Sequence, residues 1–347
     1  MNQHLDSWPF VSVVIPVRNE AVFIAELIGT ILKQDYPADR LEVIVADGRS
    51  TDGTREVLAS LQAAHSRLVV VDNPGRIVST GLNLAVARAK GDVIIRIDGH
   101  ALIAPDFIRQ NVALLAAHPE AWIVGGPIHH AATSTLGKAV AVAMSHPLGV
   151  GNARHRFPGF EGYVESAQFP ALRRWVFDRV GLFDERLVRN QDDEFNYRIG
   201  QAGGKIFISP TVKYSYFVRE RLGQLFKQYF QYGFWRIPVV EKHGRPTTLR
   251  QMAPTLFYAA CAVLFVAGLW WREPLLAVAL PLVYAIALLL AGVHSLRAND
   301  PRVSSCVPVA IATMHAGYAL GLGYGLWARF FRAGAWDAQG KMAAISR

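Results

Sequence analysis

The sequence predicts an α/β domain built on a doubly wound, mixed sheet, followed by an α-helical membrane unit. Short apolar runs alternate with helical patterns up to residue 98, and only six charged residues occur between positions 253 and 330. The mean hydropathy of +0.21 is high for a soluble chain. A length of 347 residues allows two units. We therefore expect a polar globular unit joined to an apolar one.

The predicted sheet begins at residues 10–16, a continuous apolar run typical of a strand that is buried on both faces. A helical pattern follows, with apolar residues three and four positions apart. Further strands are predicted at 41–46, 69–72 and 93–97, and a candidate strand at 122–124. Strands that alternate with helices in this way form a doubly wound α/β sheet.

Polar side chains follow four of these strands, and ligands bind outside the carboxyl ends of parallel strands. The turn preferences of Asp and Asn explain one such position, but not four in succession. No Gly-x-Gly-x-x-Gly follows the first strand, so a dinucleotide fold is disfavoured and the acidic strand ends favour metal-bridged phosphate recognition. In chain order these residues are Arg18, Asn19 and Glu20, then Asp47, then Asp72 and Asn73, then Asp98 and His100.

The net charge of +9 is concentrated between residues 205 and 250, which hold nine basic and two acidic residues. A basic block directly before an apolar stretch is typical of a juxtamembrane segment that faces anionic lipid. We therefore expect membrane lipid as a partner and no nucleic acid. Residues 221–236 predict an amphipathic helix, either on the membrane surface or packed in a core, and 237–252 a basic linker.

Three apolar segments at 254–271, 274–293 and 307–330 each have about the ~20 residues that a membrane span needs. Because the third is rich in glycine, it is open whether it is a simple span, a re-entrant segment or a bundle helix. The N-terminus lacks a signal peptide pattern. We expect a multi-pass protein of the inner (cytoplasmic) membrane, with a catalytic domain at 1–236 on the cytoplasmic side, a membrane unit at 253–330 and a tail at 331–347.

Several motifs, taken in order, resemble those of glycosyltransferase family 2. They are Val-Ser-Val-Val-Ile-Pro-Val-Arg-Asn-Glu at 11–20, Ala-Asp-Gly-Arg-Ser-Thr-Asp-Gly-Thr at 46–54, Arg-Ile-Asp-Gly-His at 96–100, Gly-Leu-Phe-Asp at 181–184, and Asn-Gln-Asp-Asp-Glu at 190–194 with Arg198. The Asp-Gly-His variant, with residues 143–151, resembles the succinoglycan-biosynthesis branch, whose members are membrane-attached sugar transferases. The resemblance covers roughly the first 240 residues. It implies a GT-A (nucleotide-diphospho-sugar transferase) fold and an inverting glycosyl transfer.

The resemblance also assigns a donor site. Asp98 and His100 would hold a divalent metal, Mg or Mn, although His100 stands where the family usually has a second Asp and could instead hydrogen-bond a phosphate. Arg76 is either a phosphate contact or a solvated turn residue. The remaining donor residues are Asp47 for the nucleotide base, Pro16, Arg18, Asn19 and Glu20 for the wall of its pocket, and Asp98 beside the diphosphate.

For the acceptor, the motif order puts Asp192 at the position of the general base, with Gln191 in place of the usual Glu. Asp193 is the adjacent competitor, and an acidic first turn that favours the helix dipole is the alternative interpretation. Gln231 and Trp235 partly match an acceptor-binding motif of processive synthases, so they are weak acceptor candidates beside Gln191.

The sequence thus predicts a glycosyltransferase that moves a hexose onto a lipid-linked oligosaccharide in exopolysaccharide biosynthesis. The first candidate donor is UDP-glucose, and the expected acceptor is a polyprenyl-diphosphate-linked saccharide. Two alternatives stay open, a processive polysaccharide synthase of the same family and a non-catalytic membrane scaffold.

Overall fold

A computed structural model describes residues 8–331 of the chain. Within these residues the chain separates into two compact units, one that comprises residues 8–129 and Arg154–Tyr216, and one that comprises His130–Ala153 and residues 217–331. This division differs from the predicted boundary at 236, because residues such as Val140 and Leu225 share an apolar cluster with the last helix. Residues 1–7 and all but the first residue of the predicted tail at 331–347 lie outside the described residues.

The first unit is built on strands, and its helices lie between them. The strands of the described chain are β1 (Val11–Val17), β2 (Leu41–Asp47), β3 (Leu68–Asp72), β4 (Val93–Arg96), β5 (Leu102–Ile103), β6 (Ala121–Gly126), β7 (His129–Ala131), β8 (Gly162–Val164), β9 (Gln168–Arg173), β10 (Lys205–Ile208) and β11 (Tyr214–Phe217). The helices of the first unit are α1 (Ile24–Leu32), α2 (Thr54–Ala64), α3 (Val78–Arg88), α4 (Phe107–Ala117), α7 (Trp175–Val180) and α8 (Gln191–Gln201).

Eight of these strands form one mixed sheet in the order β3-β2-β1-β4-β9-β6-β10-β8. β1 is parallel to β2 and β4, and β2 is parallel to β3, whereas β9 is antiparallel to both β4 and β6. The four strands predicted between residues 10 and 97 are therefore neighbours, and all four point the same way. The predicted fold class, a doubly wound mixed α/β sheet, is confirmed.

Both faces of the sheet are covered. Successive residues of β1 alternate between the faces, so that Val13 and Ile15 pack in the cluster that contains α1, while Val14 packs with α3 on the other side. At the carboxyl edge, Val17 pairs with Asp47, and Asp47 pairs with Asp72. The register therefore brings the polar residues that follow these strands to one edge of the sheet.

The second unit is helical. It contains α5 (Thr135–Ala143), α6 (Pro147–Val150), α9 (Leu222–Phe234), α10 (Arg236–His243), α11 (Ala253–Trp271), α12 (Pro274–Ser295) and α13 (Pro301–Phe331). Three helices, at Leu249–Trp271, Pro274–Ser295 and Pro301–Phe331, are long and apolar enough to cross a membrane. Half of the most apolar window of α13 is buried, against 6% and 11% in the other two. Of the alternatives left open for the third segment, α13 matches the bundle helix.

The contact between α13 and α9 depends on glycine. Gly317, Gly321 and Gly325 recur every four residues and so share one face of α13. A Cβ atom at Gly317 would lie 2.8 Å from the carbonyl oxygen of Phe226, and one at Gly325 would lie 3.1 Å from that of Phe234. Small residues at this spacing let two helix backbones approach closely. The predicted amphipathic helix is therefore packed along α13.

Gly321→Leu is expected to destabilise the helical unit by about 1–3 kcal/mol, because its side chain would meet the backbone of Phe230 and force the two helices apart. Gly323→Leu is the matched control, since nothing lies within 4 Å of a Cβ atom at that position. Unfolding of detergent-purified protein by SDS titration measures the difference. Equal midpoints for the two variants would show that the close approach does not stabilise the unit.

Candidate active site

Several hydrogen bonds fasten the loop after β1 to the residues that follow β2. The backbone N–H of Asn19 donates to Ser50 Oγ, that of Thr51 donates to Asn19 Oδ1, and that of Glu20 donates to Thr54 Oγ1, each at 2.9 Å. Asn19 has a φ of 60°, in the left-handed region that asparagine tolerates better than most residues. The predicted pocket wall at Pro16–Glu20 is thus held against the residues that follow Asp47.

Asp47 ends β2 and is only 3% exposed. Its carboxylate accepts a hydrogen bond from Ser50 Oγ at 2.5 Å and lies 3.6 Å from Arg55 Nε. A cavity of about 470 Å³ opens beside it, with Leu58 and Val70 among its apolar lining residues. A carboxylate acceptor beside an apolar wall suits a flat heterocycle that offers an N–H donor.

The end of β3 is occupied by an ion pair. Arg49 Nη2 lies 3.1 Å from Asp72 Oδ2, and this guanidinium lowers the pKa of Asp72. Arg76, with a φ of 59°, closes the following turn through its backbone N–H, and its side chain is exposed.

Asp52 accepts hydrogen bonds from Thr54 Oγ1 and from the Thr54 backbone N–H, and these bonds lower the pKa of Asp52 just before α2.

The turn after β4 carries Asp98 and His100. A Cβ atom at Gly99 would lie 2.9 Å from Val17 Cγ1, so glycine allows the turn to close against the end of β1. His100 Nδ1 lies 3.0 Å from Glu20 Oε1. When Nδ1 donates to this carboxylate, the lone pair that a metal ion needs falls on Nε2. The structure therefore brings Glu20 into contact with His100, in the turn that also carries Asp98.

The donor set of Asp98 and His100 fits a divalent cation that arrives with a diphosphate. Across residues 8–331, no group of three or more His, Cys, Asp or Glu side chains could hold a metal ion by itself. A cation that is shared with substrate phosphates needs only one or two protein ligands, because phosphate oxygens and water fill the other positions. Both side chains are partly exposed, so both are within reach of a ligand.

Arg96 connects the donor side of the site to Asp192. Its Nη2 lies 3.0 Å from Asp98 Oδ1, and its Nη1 lies 3.6 Å from Asp192 Oδ2. The guanidinium is buried, with a residue exposure of 8%. The structure therefore brings together two predicted site residues that are 94 positions apart, through an arginine that was assigned no role from sequence. Two signals were present, because Arg96 ends the otherwise apolar strand β4 and is the first residue of the Arg-Ile-Asp-Gly-His motif.

The acids at the start of α8 have different surroundings. The Glu194 carboxylate is fully buried and accepts a hydrogen bond from Arg198 Nε at 2.9 Å, which gives it a structural role. The Asp192 side chain is 39% exposed. Partial loss of contact with water raises the pKa of Asp192, and the charge of Asp193 raises it further, whereas Arg96 opposes both. Gln191 is buried, and its Oε1 has no hydrogen-bond partner within residues 8–331.

The two weak acceptor candidates lie elsewhere, in the helical unit. Gln231 is buried in α9, and Trp235, directly after α9, is 1% exposed and packs edge-on against Phe234. An indole that is buried in this way presents no open face to solvent. The acceptor contact predicted for these two residues stays a prediction.

Known proteins resemble this chain in sequence. The sequence profile described as "Glycosyl transferase family 2" matches residues 12–180. The succinoglycan biosynthesis protein ExoA of Rhizobium meliloti is 37% identical over 245 residues, which are 70% of this chain and 73% of that protein. The dolichyl N-acetyl-alpha-D-glucosaminyl phosphate 3-beta-D-2,3-diacetamido-2,3-dideoxy-beta-D-glucuronosyltransferase of Methanococcus voltae is 28% identical, over 65% of this chain and 72% of that enzyme.

A solved structure shows the same fold. The mannosyltransferase PcManGT of Pyrobaculum calidifontis, determined with GDP-Man and Mn2+, superposes with a TM-score of 0.58 at 24% identity, over 92% of this chain and 88% of that one. Together with the family profile and the relatives, this likeness identifies the sheet as a GT-A core. The chain belongs to glycosyltransferase family 2 and is a glycosyltransferase, with C-terminal apolar helices that could span a membrane.

Proposed function

We propose that this chain is an inverting hexosyltransferase that uses UDP-glucose and a polyprenyl-diphosphate-linked saccharide in exopolysaccharide assembly. The observation that carries the proposal is the alignment of Asp98, Arg96 and Asp192 at the carboxyl edge of the sheet. These two contacts support a donor-side carboxylate and a general base that act at one site. The similarity to a succinoglycan biosynthesis protein supports the choice of product class.

The donor binds at the ends of β1 and β2. The Asp47 carboxylate accepts the imide N–H of uracil, which cytosine lacks, and so selects UDP. Arg76 donates to the diphosphate. Asp98 and His100 hold Mg or Mn, which supplies the positive charge that stabilises the leaving diphosphate. Glu20 orients His100 from the neighbouring loop. The pocket wall consists of Pro16, Arg18, Asn19 and Glu20.

The acceptor is activated by Asp192. This carboxylate takes the proton of the acceptor hydroxyl while the hydroxyl oxygen attacks the anomeric carbon, and the bond from that carbon to the UDP oxygen breaks. Because the oxygen enters opposite the leaving group in one displacement, the anomeric configuration inverts. Gln191, which directly precedes the proposed base, is the candidate for holding the acceptor sugar.

Membrane attachment would raise the rate at which a lipid-linked acceptor is found. The helices α11 and α12 expose large apolar side chains, and Arg219, Arg221 and Lys227 lie exposed in the segment before them. Apolar helices flanked by basic residues suit insertion with this flank on the cytoplasmic side. Confining enzyme and acceptor to one surface increases their effective concentration.

A donor screen tests the proposed function. Purified protein is incubated with nucleotide sugars and a membrane lipid extract, with Mg2+, Mn2+ or neither. The proposal predicts transfer of a single glucose from UDP-glucose into the lipid fraction, and only with a divalent cation. Long polymer from one enzyme would favour the processive synthase, and transfer from another nucleotide sugar alone would refute the proposed donor.

Asp47→Asn is expected to weaken UDP binding by about tenfold or more, since it replaces a charged acceptor with a neutral amide. It should also reduce the preference for UDP over CDP, because the amide N–H can donate to cytosine. Calorimetric titration of both nucleotides measures the two effects. Ser50→Ala is the matched control, because it removes a partner of Asp47 but keeps the carboxylate. An unchanged preference in Asp47→Asn would exclude this residue from base recognition.

A further inference from the structure

A buried arginine joins the two halves of the proposed reaction. Arg96 lies on β4, Asp98 follows that strand, and Asp192 lies on α8. We propose that Arg96 is a positioning residue that holds the Asp192 carboxylate at a set distance from the donor-binding carboxylate, so that the base meets the acceptor beside the anomeric carbon. This inference rests on the proposed function and adds a residue to its machinery.

The surroundings of Arg96 separate it from a purely structural arginine. The same sheet contains Arg173 on β9, which is also buried, and it donates to the backbone oxygens of Ala121 at 3.1 Å and Leu115 at 2.6 Å. Those bonds fasten strands and helices together. Both carboxylate partners of Arg96 belong instead to the candidate site. A buried guanidinium is costly unless it is paired, and here the pairing partners are the proposed reacting groups.

The geometry suits a guanidinium and no other cation. Its two Nη atoms are fixed in one plane, so a single side chain can contact two carboxylates at a defined separation. The contact with Asp98 is shorter, at 3.0 Å, than that with Asp192, at 3.6 Å. The group is therefore anchored on the donor side and directs Asp192 by charge. A lysine ammonium is a point charge on a flexible stem and cannot contact both carboxylates in this geometry.

A double-mutant cycle tests this inference. Transfer from radiolabelled UDP-glucose to the lipid extract is measured for wild type, Arg96→Lys, Asp192→Asn and the double variant. If Arg96 acts through Asp192, the Arg96→Lys substitution lowers kcat by about tenfold or more when Asp192 is present. The same substitution lowers kcat by less than about twofold when Asp192 is already replaced by Asn. The dissociation constant of UDP with Mn2+ should stay within about threefold of wild type. Arg173→Lys, the matched control, is expected to lower the melting temperature and leave kcat within about twofold.

Three outcomes would overturn the inference. An equal loss of kcat in both backgrounds would show that Arg96 acts independently of Asp192, and a loss of UDP affinity as large as the loss of rate would make it a donor ligand. A crystal structure of Arg96→Lys with UDP is decisive whichever sugar is the donor. It should show the Asp192 carboxylate displaced, and an unmoved carboxylate refutes the proposal. Failure of the proposed function is distinguishable, since wild type itself would then transfer no sugar.

Discussion

Asp192→Asn is expected to lower sugar transfer by about 100- to 10,000-fold, the range over which a positioned general base contributes. The variant keeps the size and hydrogen-bonding oxygen of the side chain but cannot accept the acceptor's proton at neutral pH. UDP binding should be almost unchanged, because Asp192 contacts Arg96 and not the proposed nucleotide pocket. Initial rates with saturating UDP-glucose, together with calorimetric titration of UDP, measure the two quantities.

The adjacent acid supplies the control for this prediction. Asp193→Asn changes the neighbouring carboxylate in the same helical turn, and residues adjacent in a helix point about 100° apart, so only one of them can face the donor. A small loss of transfer rate in Asp193→Asn and a large loss in Asp192→Asn would assign the general base to Asp192. The reverse pattern would move the role to Asp193, and two small effects would remove it from this turn.

The pH dependence of the wild type is a second readout of the same assignment. Partial loss of contact with water raises the pKa of Asp192 above its ordinary value of 3.8, although Arg96 opposes the shift. A base works in its deprotonated form, so transfer is expected to decline, as the pH falls, at a higher pH than an ordinary aspartate would produce. The acid limb of kcat/KM should be absent from the residual activity of Asp192→Asn. An acid limb that persists unchanged in the variant would belong to another group.

Asp98→Asn is expected to lower transfer by about 100-fold or more and to abolish the increase in UDP affinity that Mn2+ causes. The amide retains an oxygen for Arg96 Nη2 but lacks the negative charge that attracts a divalent cation. Titration of UDP with and without Mn2+ isolates the binding effect from turnover.

Asp92→Asn is a matched control at the opposite end of the same strand. Asp92 is exposed and directly precedes β4, whereas Asp98 lies two residues after the end of that strand. This control should keep the full response to Mn2+. If Asp98→Asn also kept it, the cation would have to be held without this carboxylate, and the proposed donor site would be wrong.

The parts of the fold that were predictable from sequence are those with a local cause. In β1 and in β2, the apolar run that forms the strand and the polar residues that follow it are only a few positions apart in sequence. Because parallel strands share one carboxyl edge, the neighbourhood of Glu20, Asp47 and Asp98 followed without knowledge of any tertiary contact. The central strand β9 was missed, since Pro170 interrupts its short apolar run and argues against an interior strand.

The features that escaped prediction depend on contacts between distant residues. Nothing near Arg96 in the chain indicates that it faces Asp192, because that contact arises only when α8 packs beside β4. Residues 130–153 join the helical unit for a similar reason, since α5 packs against side chains of α13 such as Ile311 and Met314. The glycine-rich pattern of α13 could be recognised in the sequence, but the sequence did not indicate that α9 is the helix it packs against.

The anomeric configuration of the product tests the central claim most directly. Wild-type protein is incubated with carbon-13-labelled UDP-α-glucose, divalent cation and lipid-linked acceptor, and the glycolipid product is examined by NMR. A single displacement assisted by one general base predicts a β-linked glucose attached to the acceptor. An α-linked product would contradict the single displacement by Asp192, and release of free glucose without any glycolipid would contradict transfer to a lipid-linked acceptor.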